Sequence, residues 1–183
     1  MMNTIEERRN GRRRRTAEVF TPNAIVNSLL DKMPKNIWEK GKTFCDPACG
    51  NGNFLIHILW RKIAKGHNVL GALKTIYGAD IMRDNIRECR LRLLKIVSLF
   101  EPITEDHIKA VFKNIVFLNR KKYPNGSLDY AFSFKTKYNQ RNVDEWLEAI
   151  ERGMLEEVDL PVFEERFDNG SIDVFDDIDD EPS

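Results

Sequence analysis

The stretch Phe44 to Phe54 reads FCDPACGNGNF, with the acid Asp46 four residues ahead of Gly50 and Asn51 and Asn53 alternating with Gly50 and Gly52. Glycines at such a turn let bare backbone approach a ligand and adopt positive φ at little cost. The apolar residues before the turn read as a short buried strand, and NFLIHILWRKIAKG after it as a helix from about 53 to 65, closed by Gly66. The amides that open such a helix favour an anion. A dinucleotide fingerprint would need a third glycine where Leu55 stands, and a pyrophosphate would be repelled by Asp46. A ligand carrying both an ammonium and a carboxylate suits the acid and the amides together.

Asp80 supplies a second coordinate. It ends the apolar stretch LKTIYGADI, 34 residues after Asp46, where a carboxylate can accept from both hydroxyls of a ribose. Ile81 and Met82 follow it and can flank an adenine, and Asn119 closes NIVFLN, placed for a purine edge. Three successive strand ends thus point to an adenosine ligand, and S-adenosylmethionine has the required amino-acid end. Other constellations carry less. Cys45, Cys49 and Cys89 with His57 and His67 lack the second ligand pair of a zinc site, so no metal is expected. His57 lies inside an apolar helix and reads as a half-buried structural residue. Trp38, Trp60 and Trp146 are too scattered for a stacking platform.

The elements that must hold these residues follow from periodicity. EVFTPNAIVNSLLDKMP predicts a helix over about 22–33, with Thr21 as N-cap, Pro22 in the first helical position, and Ile25, Val26, Leu29, Leu30 and Met33 on one face. RDNIRECRLRLLKIVSLF predicts a long basic helix and TEDHIKAVF a short one capped by Thr104. NIVFLN reads as a third strand, LDYAFSF as a fourth, and DEWLEAIERGM as a last helix. Strands alternating with helices imply an α/β fold with a largely parallel, right-handed sheet.

The formal charge of zero hides an asymmetry. Up to Val143 there are 27 Lys+Arg against 13 Asp+Glu, and from Asp144 onward 2 against 16. A basic body of about +14 therefore meets an acidic tail of about −14, which suggests a polyanionic partner. Residues 1–15 hold EERRNGRRRR and read as a flexible arm whose Arg12, Arg13, Arg14 and Arg15 would contact phosphates without reading sequence. The organisation expected is a basic arm over 1–15, one cofactor-binding domain over 16–155 and an acidic tail over 156–183. An odd cysteine count, no apolar run of membrane-spanning length and no export-type opening suggest a cytoplasmic protein with no membrane association.

TAEVFTP before a helix, then CDPACGNGNF, IYGADI and NIVFLN, resembles the front half of the adenine-specific DNA methyltransferases of restriction–modification systems, over about residues 16–134. That resemblance implies a Rossmann-like methyltransferase sheet, mostly parallel and truncated, with an N-terminal helix and an acidic C-terminal tail. It also implies S-adenosylmethionine as cofactor and DNA as nucleic-acid partner. Phe20, Thr21 and Pro22 would line the methionine side, Asp46, Ala48, Gly50 and Gly52 the floor, and Pro47 and Asn53 would also belong to the cofactor site. Asp80 would hold the ribose, Ile81 would touch adenine, and Asn119 would stand where the family has an aspartate. The family's N-P-P-Y or D-P-P-Y tetrapeptide, which grips the target amino group, has no counterpart: Phe134, Lys135, Thr136 and Lys137 occupy its place, with Tyr138 left to stack a base. The chain is also short for a complete methyltransferase sheet, so a second copy or a partner subunit is expected to complete it. Two readings follow: a working methyltransferase, or a non-catalytic relic that binds nucleic acid or a restriction–modification subunit.

Overall fold

A computed structural model of the chain describes residues 21–122, 125, 128–131 and 138–163. The arginine arm, Phe20, Phe134 to Lys137 and the segment 164–183 lie outside the described residues. The elements run α1 (Asn23–Asp31), a 3-10 turn (Lys35–Trp38), β1 (Phe44–Asp46), α2 (Asn53–Ala64), α3 (Val69–Leu73), β2 (Ile76–Asp80), α4 (Arg83–Ser98), α5 (Glu105–Asn114), β3 (Ile115–Phe117), β4 (Asn119–Lys122), β5 (Leu128–Ala131) and α6 (Gln140–Glu151). None of the described helices is long and apolar enough to cross a membrane.

The expected α/β architecture is present as a three-stranded, all-parallel sheet in the order β1-β2-β3. Phe44 pairs with Ile76 and Asp46 with Gly78, while Gly78 pairs with Ile115 and Asp80 with Phe117. The central strand is almost wholly buried, as a strand covered on both faces must be. Gly78 has a local reason to be glycine: a Cβ there would stand 2.6 Å from Leu55 Cδ1, so its absence lets α2 lie close to the sheet. Leu55, Leu59, Ile76, Leu93, Ile96, Ile108 and Ile115 form the centre of the core.

Lys62 ties off the amino-terminal end of the sheet. Fully buried, it donates to Lys42 O at 2.7 Å and Thr75 Oγ1 at 2.8 Å, just before β1 and β2. Its neighbour on α2, His57, is 2% exposed and faces Asn23 Oδ1 at 3.4 Å, with the Phe163 ring 5.0 Å away. Burial pushes its imidazole down to about 4, with Arg61 and Arg92 adding repulsion. The unfolded chain takes up that proton near 6.5 and the folded one only near 4. The contribution is therefore intact above pH 6.5 and lost as pH falls toward 4. Urea unfolding at pH 7 and pH 4.5 should show the His57→Gln variant losing about 2 kcal/mol less over that interval than the unaltered protein.

Four expectations are corrected. Pro22 is the N-cap of α1 and not its first helical residue, because its ψ of 146° is extended while its carbonyl accepts from Val26 N at 3.0 Å; Thr21 therefore caps nothing. Of the apolar face of α1 only Val26 and Leu30 are buried, whereas Ile25, Leu29 and Met33 remain 51%, 45% and 38% exposed. Asn119 does not close the third strand. β3 ends at Phe117, Leu118 N donates to Asp80 O at 2.8 Å, and Asn119 opens β4. Finally, the stretch expected as a fourth sheet strand pairs, over Leu128–Ala131, antiparallel with β4 in a separate two-stranded ribbon. The intervening YPNGS contains Asn-Gly, the strongest short-range hairpin signal.

Candidate functional site

Strand β1 delivers Asp46 to the carboxyl end of the sheet, and the chain then turns sharply. Cys49 N donates to Ala79 O at 3.0 Å and Gly52 N to Cys49 O at 2.8 Å, fastening the loop to β2. Gly50 and Gly52 sit at φ 53° and 87°, the left-handed region that other residues enter only at a cost. Among the described residues no side chain caps α2, which begins directly after Gly52, so its opening amides are left for another partner. Asn53 reaches back from this helix to donate to Thr21 O at 2.7 Å. The Thr21-Pro22 segment and the glycine loop are thereby joined.

Asp80 is the hub. One carboxylate oxygen, Oδ2, accepts from Gly50 N at 3.0 Å; the other, Oδ1, accepts from Met82 N at 2.7 Å and Asn85 Nδ2 at 3.4 Å. The residue is 9% exposed. Asp46 lies close enough to feel it: burial raises the Asp46 carboxyl above its ordinary range against the bond from Ala48 N, and the Asp80 charge raises it further. Ile81, beside them, is 45% exposed and presents an apolar surface at the mouth. Two acids, the loop amides, an uncapped helix start and one exposed isoleucine thus share one end of the sheet.

The structure brings Thr21, Asp46, Gly50, Gly52, Asn53, Asp80 and Ile81 to this end. Pro22, Pro47 and Ala48 are at the surface, and nothing is described for the Asn119 side chain. Tyr138 is 41% exposed with Lys109 Nζ 5.7 Å from its ring centre, on the α5–α6 side. Among the described residues no cluster of His, Cys, Asp or Glu suited to a metal ion is formed; Cys49 and Cys89 are buried in the core and Cys45 is exposed.

Sequence reasoning missed the support supplied by α4. Asn85 bonds Asp80, Glu88 accepts from Asn51 Nδ2 at 2.9 Å, Cys89 lies under Gly52, and Arg92 donates to Asn51 O at 3.1 Å. A signal was present. Asn85, Cys89 and Arg92 recur at i, i+4 and i+7 on the buried face, where a polar residue demands a partner.

Comparison with known proteins identifies the family. The chain is 32% identical over 120 residues to the Type II methyltransferase M.VspI of Vibrio sp. (strain 343), an alignment covering 60% of this chain and 27% of that relative. The chain thus spans about a quarter of the relative's length. No solved structure matches. The family model described as N-6 DNA Methylase matches residues 5–140, more than half of the sequence and the whole of the site above: the chain belongs to the N-6 DNA methylase family.

Proposed function

We propose that this chain binds S-adenosylmethionine at the carboxyl ends of β1 and β2 and serves methylation of adenine amino groups in DNA. The observation that carries the reading is the Gly50 amide held 3.0 Å from the Asp80 carboxylate, which sets an amide-rich loop and a ribose-type acceptor side by side. The residues fit the cofactor. Asp80 Oδ2 holds one hydrogen bond and has a further lone pair for a hydroxyl. Asp46 suits the ammonium, the uncapped start of α2 the carboxylate, and Ile81 a face of the adenine. Bound there, the cofactor supplies an electrophilic methyl group, and the chain's own residues orient it.

Saturating S-adenosylmethionine should raise the melting temperature by several degrees, as expected for a ligand at about 100 times its Kd. An unchanged melting curve would count against the site. A second reading, cofactor or nucleic-acid binding without turnover, is favoured by β5 pairing with β4 instead of joining the parallel sheet, and by Phe134 where the family has an acceptor. A filter assay of methyl transfer to DNA decides between them. Turnover supports the first reading, whereas cofactor binding without turnover, restored in Phe134→Asn, supports the second.

A further inference from the structure

Beside α4 lies an open groove of about 360 Å³ between α4, the junction of α5 with β3, and α6. Three arginines of α4, Arg83, Arg87 and Arg90, face three aromatic rings, Phe112, Phe117 and Trp146. Arg90 is structural. It donates from Nε to Ile115 O at 3.0 Å and lies 4.6 Å above the Phe112 ring. Arg83 and Arg87 are exposed. Arg83 rests 4.2 Å over Phe117, a contact that leaves the donor edge of its guanidinium outward. Arg87 reaches only the Met154 thioether, at 3.9 Å, among the described contacts. Among the described residues the one acid lining the groove, Glu145, is held by Arg141 at 2.9 Å.

Two guanidiniums one helical turn apart, with no carboxylate partner among the described residues and aromatic walls beneath them, make an anion cradle of the kind that positions a nucleic-acid backbone. Place matters as well as charge. Arg83 follows Asp80 by three residues and Phe117 ends β3, so the Arg83–Phe117 end of the groove lies at the same end of the sheet as the cofactor site. We propose that it seats phosphodiesters of the DNA flanking the target base, Arg83 and Arg87 each contacting one phosphate. This rests on the function proposed above and adds to it a surface that sequence did not reveal.

The test is a fluorescence-anisotropy titration of labelled duplex DNA with the full chain, without cofactor, over a series of salt concentrations. Arg83→Glu/Arg87→Glu should weaken binding at least tenfold and reduce the salt slope by about 2, the release expected from two phosphate contacts. A charge-matched control, Lys40→Glu/Lys65→Glu, alters exposed lysines near the opposite end of the sheet and should change affinity less than twofold. Equal effects of the two variants, or none, overturn the proposal. So does a change in Trp146 emission caused by the groove variant in the absence of DNA and lost on removing residues 164–183, which would place the chain's own acidic segment in the groove. The titration contains no cofactor, so its failure is separate from a missing S-adenosylmethionine shift.

Discussion

Asp80→Ala is expected to lower the melting temperature of the cofactor-free protein by roughly 6–12 °C and to abolish the stabilisation by S-adenosylmethionine. The first effect follows from what the carboxylate already does. It accepts from Gly50 N, Met82 N and Asn85 Nδ2 at a position 9% exposed. Removing it strands two backbone amides and a side-chain amide. Each orphaned buried donor costs about 1–3 kcal/mol, and water entering the vacated space recovers part, leaving a net of about 3 kcal/mol. Were Asp80 solely a ribose acceptor, the alanine variant would lose cofactor affinity with an unchanged melting point. Asp80→Asn separates the roles further. It keeps one acceptor oxygen, so about half the destabilisation should remain, while the charged acceptor for the hydroxyl is gone. Thermal melts with and without cofactor, together with calorimetric titration, read both quantities.

What sequence made legible at this site was the part written in local pattern. The glycine turn between an apolar run and a helix and the acid at the end of IYGAD are contiguous signals, and both were found where expected. The five-residue α3 was missed because it is too short for a helical period, although Asn68, which accepts from Gly71 N at 2.9 Å, is an ordinary cap. The hairpin was missed because NIVFLN was read as one strand, when the polar run Asn119–Lys122 begins a new one. Non-local pairing was the least accessible. Phe112 meets Trp146 at 5.0 Å and Trp60 stacks on Phe163 at 4.3 Å, so tryptophans scattered along the chain acquire aromatic partners only through the fold. The Rossmann-like character was legible because strand–helix alternation has few right-handed solutions. That β1 stands at an edge of the described sheet was not, because three residues of β1 carry no mark of their neighbour.

Gly52→Ala should produce a loss of about 2–5 kcal/mol, the sum of two separable costs. The first is conformational: φ is 87°, and an L-residue in that region costs about 1–2 kcal/mol. The second is steric. A Cβ at this position would lie 2.5 Å from Cys89 Sγ and 3.2 Å from Cys89 Cβ, and Cys89 is fully buried, so neighbouring atoms must shift at about 1–3 kcal/mol. Gly41→Ala isolates the first cost, since its φ is 83° and nothing stands within 4 Å of a Cβ there; it should lose only about 1 kcal/mol. Cys89→Ala removes the closest atom, so in a double-mutant cycle Gly52→Ala should be less damaging in the Cys89→Ala background by about 1 kcal/mol or more. Strict additivity would show that the loop moves away from α4 instead of pressing on it. The same displacement would draw Gly50 from Asp80 and weaken cofactor binding, so the cycle, repeated with S-adenosylmethionine, reports whether Cys89 sets the height of the loop on which the ligand rests.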